Sequence, residues 1–209
     1  MKKPLLSILF LIAQFSCFCQ SKSVRQDSLI RRYNYLNHQT FAELELEDTS
    51  GNLVNTSSLV GKTIYVDFWF TTCAPCIKEI PYSKSLQQYF SSDTNIVFLS
   101  ICIENWERKT AWKQMVKERK MPGIQLFYAR NHPQKINLLR KYEITFPTYL
   151  ILNKRMEITG YDAPRPSETG WVHWSILKAI EGKRLSDSYL DVVNHSKEYT
   201  DFIKGLESK

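Results

Sequence analysis

A run of β-branched and aromatic residues lies near the middle of the chain. The stretch from Ile64 to Phe70 is apolar or aromatic except at Asp67. A strand that is buried on both faces of a sheet has this composition. The run breaks at residues 71–72, and helix-compatible sequence follows within a few positions. The pattern therefore predicts a buried strand that turns directly into a helix.

Apolar spacing on either side of this run predicts further strands and helices. Residues 42–47 alternate between apolar and acidic positions, as in a strand with one solvent-facing side. The turn residues 48–52 and the segment 53–56 would complete a hairpin. Beyond the run, apolar segments predict strands and helical spacing predicts helices. The predicted strands are 95–103, 124–128, a segment ending near 151, and 156–161, and the predicted helices are 21–37, 76–90, 106–120, 133–141 and 167–181.

The first 19 residues have the layout of a signal peptide. Two lysines precede a mostly apolar run over 5–15, which is too short to cross a bilayer, and fairly small residues precede Gln20. Two alternatives stay open, a retained membrane anchor and lipid attachment at Cys17 or Cys19. Both are weaker, because the run is short and the triplets before these cysteines lack the usual lipoprotein pattern. We therefore expect a periplasmic or otherwise extracytoplasmic protein.

The rest of the chain suits one domain with additions. The 209 residues divide into the signal peptide 1–19, an N-terminal helical lead 20–40, a central domain 41–182 and a C-terminal helical extension 183–209. The last helix of the domain is expected to end at Gly182. Its predicted inward residues are Trp171, Trp174, Leu177 and Ile180.

Charge and cysteine content exclude two classes of protein. The net charge is +7, or +5 without the two lysines of the signal peptide, and the basic residues are scattered rather than clustered. A nucleic-acid-binding protein would carry a basic patch or run, so we expect no nucleic-acid partner. Three cysteines remain after residue 19, one close pair and one single residue, and this is not the pattern of a disulfide-stapled scaffold.

The close pair, Cys73 and Cys76, has the spacing of a redox-active dithiol. The strand-to-helix transition puts Cys73 at a helix N-terminus, where free backbone N–H groups and the helix dipole favour a thiolate. The thiolate is the attacking species in disulfide exchange. We expect Cys73 to be exposed and to attack, and Cys76, one turn inward, to resolve the mixed disulfide. Pro75 suits the first turn of the helix.

These residues resemble a known family. Asp67-Phe68-Trp69, Cys73-x-Pro-Cys76, Glu79 and Pro81 are similar to the motif of the thioredoxin fold, most closely in the extracytoplasmic thiol-disulfide oxidoreductases similar to TlpA and ResA. The resemblance implies an α/β fold, with a central mixed sheet flanked by helices and an N-terminal β-hairpin. It covers the hairpin as well, through Gly51, Leu59 and Gly61-Lys62, and leaves residues 183–209 outside.

The resemblance assigns proton-transfer roles to two carboxylates. Thioredoxin has an aspartate at the position of Asp67 that assists the buried resolving cysteine, whereas the TlpA-like branch more often has another residue. ResA-like proteins have a glutamate at the position of Glu79 that is linked to active-site proton transfer. The alternatives are a structural aspartate at the sheet edge and an ordinary exposed helix glutamate. If both acids belong to the site, their titrations are coupled.

The resemblance also implies a substrate-binding rim. Pro147 matches the family's cis-proline, which faces the disulfide, and Phe146 before it can pair its backbone with an extended substrate segment. The alternative is an ordinary trans proline at the start of a strand. Thr72 departs from the family, which usually has tryptophan before the first cysteine, so the partner-docking rim, to which Pro75 also belongs, should differ in shape.

The remaining candidate residues point away from metal chemistry. A structural zinc site needs four ligands, and the chain offers no second cysteine pair and only scattered histidines. A copper-delivery site would need a wider cysteine spacing and a suitably placed histidine. Cys102, inside a predicted buried strand, is most simply a small core residue. The four histidines have no catalytic spacing, and we expect neither a metal nor a dissociable cofactor.

The sequence therefore predicts an exported protein-disulfide reductase. The resemblance implies disulfide-containing envelope proteins as clients, such as apocytochromes, and a membrane electron donor that restores the dithiol. The reverse direction of electron flow, as a disulfide oxidase or isomerase, stays open because the residues between the cysteines do not decide it. A peroxidase is less consistent, because the peroxidatic threonine–cysteine motif is absent. The alternative from another class is a non-catalytic binding module with a static disulfide.

Overall fold

A single seven-stranded mixed sheet organises the protein. The computed structural model describes residues 24–130 and 138–207. The strand order is β2-β1-β5-β4-β3-β6-β7, in which β3, β4 and β5 are parallel and the other neighbours are antiparallel. The strands are β1 Glu45–Asp48, β2 Leu53–Asn55, β3 Thr63–Trp69, β4 Ile96–Glu104, β5 Ile124–Ala129, β6 Thr148–Leu152 and β7 Ile158–Tyr161.

Helices flank this sheet and extend beyond it at the C-terminus. The helices are α1 over residues 24–33, α2 Ala74–Tyr89, α3 Lys109–Glu118, α4 Leu138–Lys141, α5 Trp171–Ile180, α6 Leu185–Val193 and α7 Lys197–Glu207. Within the described ranges, none of them is long and apolar enough to span a bilayer. The predicted α/β fold, with its mixed sheet, N-terminal hairpin and C-terminal helical extension, is confirmed. The predicted signal peptide and most of the predicted helix 133–141 lie outside the described residues.

The apolar run of the sequence is the central strand β3. Its alternate residues Ile64, Val66 and Phe68 are fully buried and belong to the core on one face of the sheet. Tyr65 belongs to the core on the other face, where it stacks on Tyr149 at 5.4 Å between ring centroids. The strand pairs with β4 on one side and β6 on the other. A position that is covered on all sides explains why the run is nearly continuous rather than alternating.

Two predicted helices begin later than their sequence patterns indicate. The region from Trp106 begins as a 3₁₀-turn over Trp106–Arg108, and α3 starts at Lys109. The closing helix starts at Trp171, because residues 167–170 form a turn that ends at Gly170 with a φ of +86°. The backbone N–H of Arg165 donates to the Glu168 carboxylate at 2.7 Å, which stabilises the segment leading into this turn.

The predicted inward face of α5 is incomplete. Trp174 is buried, and the other three expected residues are half-buried and pack against a core in which Val172 and Ile176 are fully buried. Trp171 and Trp174 contact the C-terminal extension, with ring centroids 6.1 Å from Tyr189 and 5.3 Å from Phe202. The bulky residues of α5 therefore serve a second interface, which a pattern drawn for one core does not anticipate.

The C-terminal extension, residues 183–207, packs on α5 and on the last strand. Leu185 of α6 is buried against β7, where a Cβ at Gly160 would lie 2.8 Å from the Cβ of Leu185. Lys178 of α5 is 7% exposed and binds Glu198 of α7 at 2.5 Å and Glu181 at 3.0 Å. The same ammonium lies 4.4 Å from the ring centroid of Trp174. The extension is thus joined to the domain by apolar and charged contacts.

Candidate active site

The two cysteines form a disulfide at the start of α2. Cys73 is the residue that caps the helix, and its Sγ accepts a hydrogen bond from the Cys76 N–H at 3.2 Å. The Cα atoms of the pair are 5.3 Å apart. Pro75 lies in the first turn, where its missing N–H costs no helical hydrogen bond. The expected position of the first cysteine at a helix N-terminus is therefore present in the structure.

The expectation that Cys73 is exposed is wrong for this disulfide form. Cys73 is 3% exposed and Cys76 is 5% exposed. Both belong to an apolar cluster against which the rings of Phe70 and Phe146 pack, with centroids 4.8 Å apart. The neighbouring residues Thr72, Ala74 and Pro75 are exposed. The disulfide thus lies just beneath a rim of small and polar residues. Two aromatic rings cover one side of it, and the sequence pattern does not predict this cover.

The predicted substrate-binding residues lie at the same end of the sheet as the disulfide. The Phe146–Pro147 peptide bond is cis, as the resemblance implies, and β6 begins at the next residue. Pro147 is buried, whereas Phe146 is half-buried in contact with the cysteine cluster. The structure therefore brings Phe146 to the cysteines. Pairing of its backbone with a substrate stays a prediction.

Asp67 occupies the middle of the sheet rather than its edge. It lies on β3 opposite Ser100 of β4 and Tyr149 of β6. The Ser100 hydroxyl donates to Asp67 Oδ2 at 3.5 Å, and Oδ1 has no hydrogen-bond partner among the described residues. Burial raises the pKa of Asp67 from 3.8 to about 7, and the nearby charge of Glu79 adds to the rise. The alternative of a satisfied structural carboxylate at a sheet edge does not fit this environment.

Glu79 points inward from α2. It is 8% exposed, so the alternative of an ordinary exposed helix glutamate is wrong. Its two carboxylate oxygens accept hydrogen bonds from the backbone N–H and the hydroxyl of Ser167, each at 2.9 Å. Ser167 is 88 positions away in the sequence. The contact thus joins α2 to the turn before α5.

One cavity connects the acids to the second cysteine. Asp67, Cys76 and Glu79 line it together with residues of β4 and of the segment before β5. The cavity is large enough to hold one water molecule. In the reduced protein, a water molecule in this cavity could therefore pass a proton between Cys76 and either carboxyl group. This arrangement suits a resolving cysteine that must lose a proton.

A second polar cluster holds the segment before Cys73. Glu104, at the end of β4, is buried and accepts a hydrogen bond from the Thr71 hydroxyl at 2.9 Å. Arg108 donates from Nε to the same hydroxyl at 2.9 Å and lies 3.4 Å from the Glu104 carboxylate. The sequence pattern predicts no site role for these residues or for Ser167. A carboxylate at the end of an apolar strand was the available signal for Glu104, whereas the sequence carried none for Ser167.

The third cysteine is sealed in the interior. Cys102 of β4 is fully buried in the same apolar cluster as the disulfide, as expected for a small core residue. Burial raises the pKa of its thiol well above the ordinary value. In the described part of the chain, no group of three or more His, Cys, Asp or Glu side chains is arranged to hold a metal ion.

Comparisons of sequence connect this site to known proteins. The family model described as Redoxin matches residues 36–169. The thiol-disulfide oxidoreductase ResA of Bacillus subtilis (strain 168) is 45% identical over 154 residues, which cover 71% of this chain and 69% of that protein. The sporulation thiol-disulfide oxidoreductase A of the same organism is 29% identical over 99 residues, covering 47% of this chain and 57% of that protein.

Comparisons of structure support the same fold. The thioredoxin domain of a thiol-disulfide oxidoreductase from Bacteroides vulgatus superposes with a TM-score of 0.58 at 23% identity, covering 69% of this chain and 97% of that one. A thiol:disulfide interchange protein from Bacteroides sp. superposes with a TM-score of 0.54 at 22% identity, covering 78% and 93%. At these identities the likeness is one of fold, and the fold is that of thioredoxin.

Proposed function

Since the chain belongs to the Redoxin family and is a ResA-like oxidoreductase of the thioredoxin superfamily, we propose that it reduces disulfides of exported proteins. The observation that carries the proposal is the Cys73–Cys76 disulfide at the N-terminus of α2, with the cavity of Asp67 and Glu79 behind it. A helix N-terminus stabilises the attacking thiolate, and the cavity provides a proton acceptor for the resolving thiol.

The proposed reaction proceeds in two exchange steps. In the reduced protein, the Cys73 thiolate attacks one sulfur of the client disulfide, which forms a mixed disulfide and releases the first client sulfur as a thiolate. Cys76 then transfers its proton to Asp67, directly or through a water in the cavity, and attacks Cys73 Sγ. The second client thiolate leaves. The client gains two electrons and the protein ends with the Cys73–Cys76 disulfide.

Regeneration of the dithiol completes the cycle. We propose a membrane-bound dithiol donor outside the cytoplasm, with residues 1–19 as the export signal and 41–182 as the catalytic domain. Phe146 and Pro147 would receive an extended client segment beside the exposed Thr72 and Pro75. Because this rim lacks the family's usual tryptophan at residue 72, client selection rests on other contacts. ResA-type family membership supports clients of the envelope-protein class, apocytochromes among them.

A single substitution tests the assignment. Cys73→Ser should abolish reduction of a disulfide-bonded client peptide, since the serine hydroxyl cannot replace the attacking thiolate. Cys76→Ser should instead trap a mixed disulfide between Cys73 and the peptide, visible as an added mass that dithiothreitol removes. Cys102→Ser is the matched control and should retain activity. Persistent reduction by Cys73→Ser would refute the proposal.

The burial of both sulfurs favours one second candidate, a binding module with a static disulfide. The two functions differ in the response of the disulfide to reductant. An enzyme disulfide opens in dithiothreitol and its Cys73 then reacts rapidly with iodoacetamide at neutral pH, whereas a static one resists reduction in the folded state. The reduction potential of the pair also decides between a reductase and an oxidase.

A further inference from the structure

The turn before α5 holds one of the two acids of the cavity. Ser167 donates to both carboxylate oxygens of Glu79, one from its backbone N–H and one from its hydroxyl. Hydrogen bonds to a charged acceptor are roughly twice as strong as neutral ones and favour the negatively charged form of that acceptor. Glu79 is thereby held by two directed contacts, whereas the other acid of the cavity, Asp67, has one long hydrogen bond of 3.5 Å.

The turn itself is fixed on its other sides. The hydroxyl of Tyr65, on β3, donates to the Pro164 carbonyl at 2.5 Å, and the Ala163 N–H donates to the Tyr149 carbonyl of β6 at 2.9 Å. On the far side, Ile203 of α7 packs so closely on Gly170 that a Cβ there would lie 2.7 Å from its Cδ1 atom. A segment restrained by the sheet and by the C-terminal extension can hold a side chain in one place.

The geometry points to a division of labour that the comparisons do not assign. We propose that Ser167 is a positioning residue, which holds the Glu79 carboxylate beside the cavity so that Asp67, rather than Glu79, accepts the proton that Cys76 releases. This inference rests on the proposed function, because the proton has a use only if Cys76 resolves a mixed disulfide. Ser167 acts through Glu79 and does not touch the sulfurs.

The electrostatics of the cavity agree with this assignment. Burial, together with the negative charge of Glu79, raises the pKa of Asp67 to about 7. Burial raises the pKa values of Tyr65 and Tyr149 well above 10, so both rings are neutral near pH 7. Among the described residues, Cys76 lines the same cavity and is held in the disulfide, the charge of Asp67 acts on the Cys102 thiol, and Arg165 and Glu168 act on Tyr149.

The test follows the Asp67 carboxyl directly. In the oxidised protein, the ¹³C shift of the Asp67 carboxyl is titrated through the neutral range, with Asp67→Asn identifying the signal. Glu79→Gln should lower the midpoint on the order of one pH unit, as removal of a nearby like charge does. Ser167→Ala removes one of the two donors to Glu79 and should lower it by part of that shift, on the order of a few tenths of a pH unit. Ser167→Thr, which keeps a hydroxyl, should retain the wild-type midpoint.

A double variant decides whether Ser167 acts through Glu79. Adding Ser167→Ala to Glu79→Gln should leave the midpoint where Glu79→Gln alone puts it. An unchanged or raised midpoint in Ser167→Ala, or a further shift in the double variant, would overturn the inference. Ser167→Gly also removes the hydroxyl but leaves no methyl group at this position, so it must behave as Ser167→Ala does. The amide spectrum verifies that each variant is folded.

The two proposals fail in different experiments. The titration uses the disulfide form and needs no turnover, so an Asp67 midpoint that is independent of residue 167 contradicts only the positioning role. Absence of client reduction by the wild-type protein contradicts the proposed function, whatever the titration gives.

Discussion

At the scale of single residues, the fold treats two carboxylates of one cavity in opposite ways. Glu79 receives two short hydrogen bonds from Ser167, and Asp67 has an oxygen with no partner among the described residues. A buried carboxyl group with one long hydrogen bond is poorly compensated for its lost hydration, so burial favours its protonated form. The difference between the two acids follows from their surroundings, since their side-chain chemistry is the same.

The buried state of Asp67 predicts a pH-dependent cost to stability. Its pKa is about 7 in the folded protein against 3.8 ordinarily, so the folded state binds more protons between these values. Stability contributed by the protonated form is fully present below 3.8 and is lost as the pH rises through about 7. Asp67→Asn cannot ionise, so its advantage over the wild type should grow across this window, to roughly 4 kcal/mol at most.

Urea unfolding of the oxidised protein at a series of pH values measures this difference. Asp201→Asn, at an exposed position of α7, is the matched control. If the free-energy difference between Asp67→Asn and the wild type were constant from acid to neutral pH, the raised pKa would be contradicted.

At the scale of elements, α5 serves two neighbours at once. One side of the helix packs on the sheet through Val172 and Ile176, and Trp174 packs on Tyr199 and Phe202 of α7. Lys178 completes the second contact by placing its ammonium between Glu181 and Glu198. The extension is therefore docked by a mixed interface, and its outer helix has no fully buried residue.

Removing the charge of Lys178 should loosen α7 before anything else. Lys178→Met keeps a long unbranched side chain and removes the two ion pairs and the cation–π contact with Trp174. The free energy of opening of α7 should therefore fall by about 1–2 kcal/mol. Hydrogen exchange should therefore become faster over Lys197–Glu207, while β3 and β4 keep their protection. Lys204→Met, at an exposed position, should leave this exchange unchanged. Equal acceleration in the strands would show that α7 does not open as a local unit.

The elements that the sequence predicted well are those defined by strong apolar periods. The strands near residues 64, 96, 124 and 158 and the helix after Cys73 follow directly from their patterns. The start of α5 and the exposure of Cys73 were not predictable in this way. Each depends on partners distant in the sequence, Ser167 with Glu79 in one case and Phe146 with Phe70 in the other. Local spacing carries no information about such contacts.

At the scale of the whole molecule, one sheet supports a core on each face. Leu150 of β6 is fully buried in the larger of these cores and pairs with Val66 on the central strand. The same sheet carries the cavity and presents the end of β3 to the disulfide. Global stability and the geometry of the site therefore depend on the same strands.

Truncation of Leu150 should lower the stability of the entire protein. Leu150→Ala removes buried methyl groups and leaves a cavity, so the free energy of unfolding should fall by about 2–5 kcal/mol. Leu53→Ala is the matched control at a position that is 66% exposed on β2, and its effect should stay within about 0.5 kcal/mol. Urea denaturation of the oxidised protein measures both. A loss below that of the control would contradict the assignment of Leu150 to the common core.

The sealed position of Cys102 has a practical corollary for counting electrons. Cys102 is buried and the pKa of its thiol is raised. A thiol-reactive label should therefore modify both Cys73 and Cys76, or neither, in the described part of the folded chain. Two labels per molecule then indicate a folded protein whose disulfide has gained an electron pair, and an odd number indicates an unfolded molecule in which Cys102 has also reacted. The number of labels taken up thus reports both the redox state of the disulfide and whether the protein is folded.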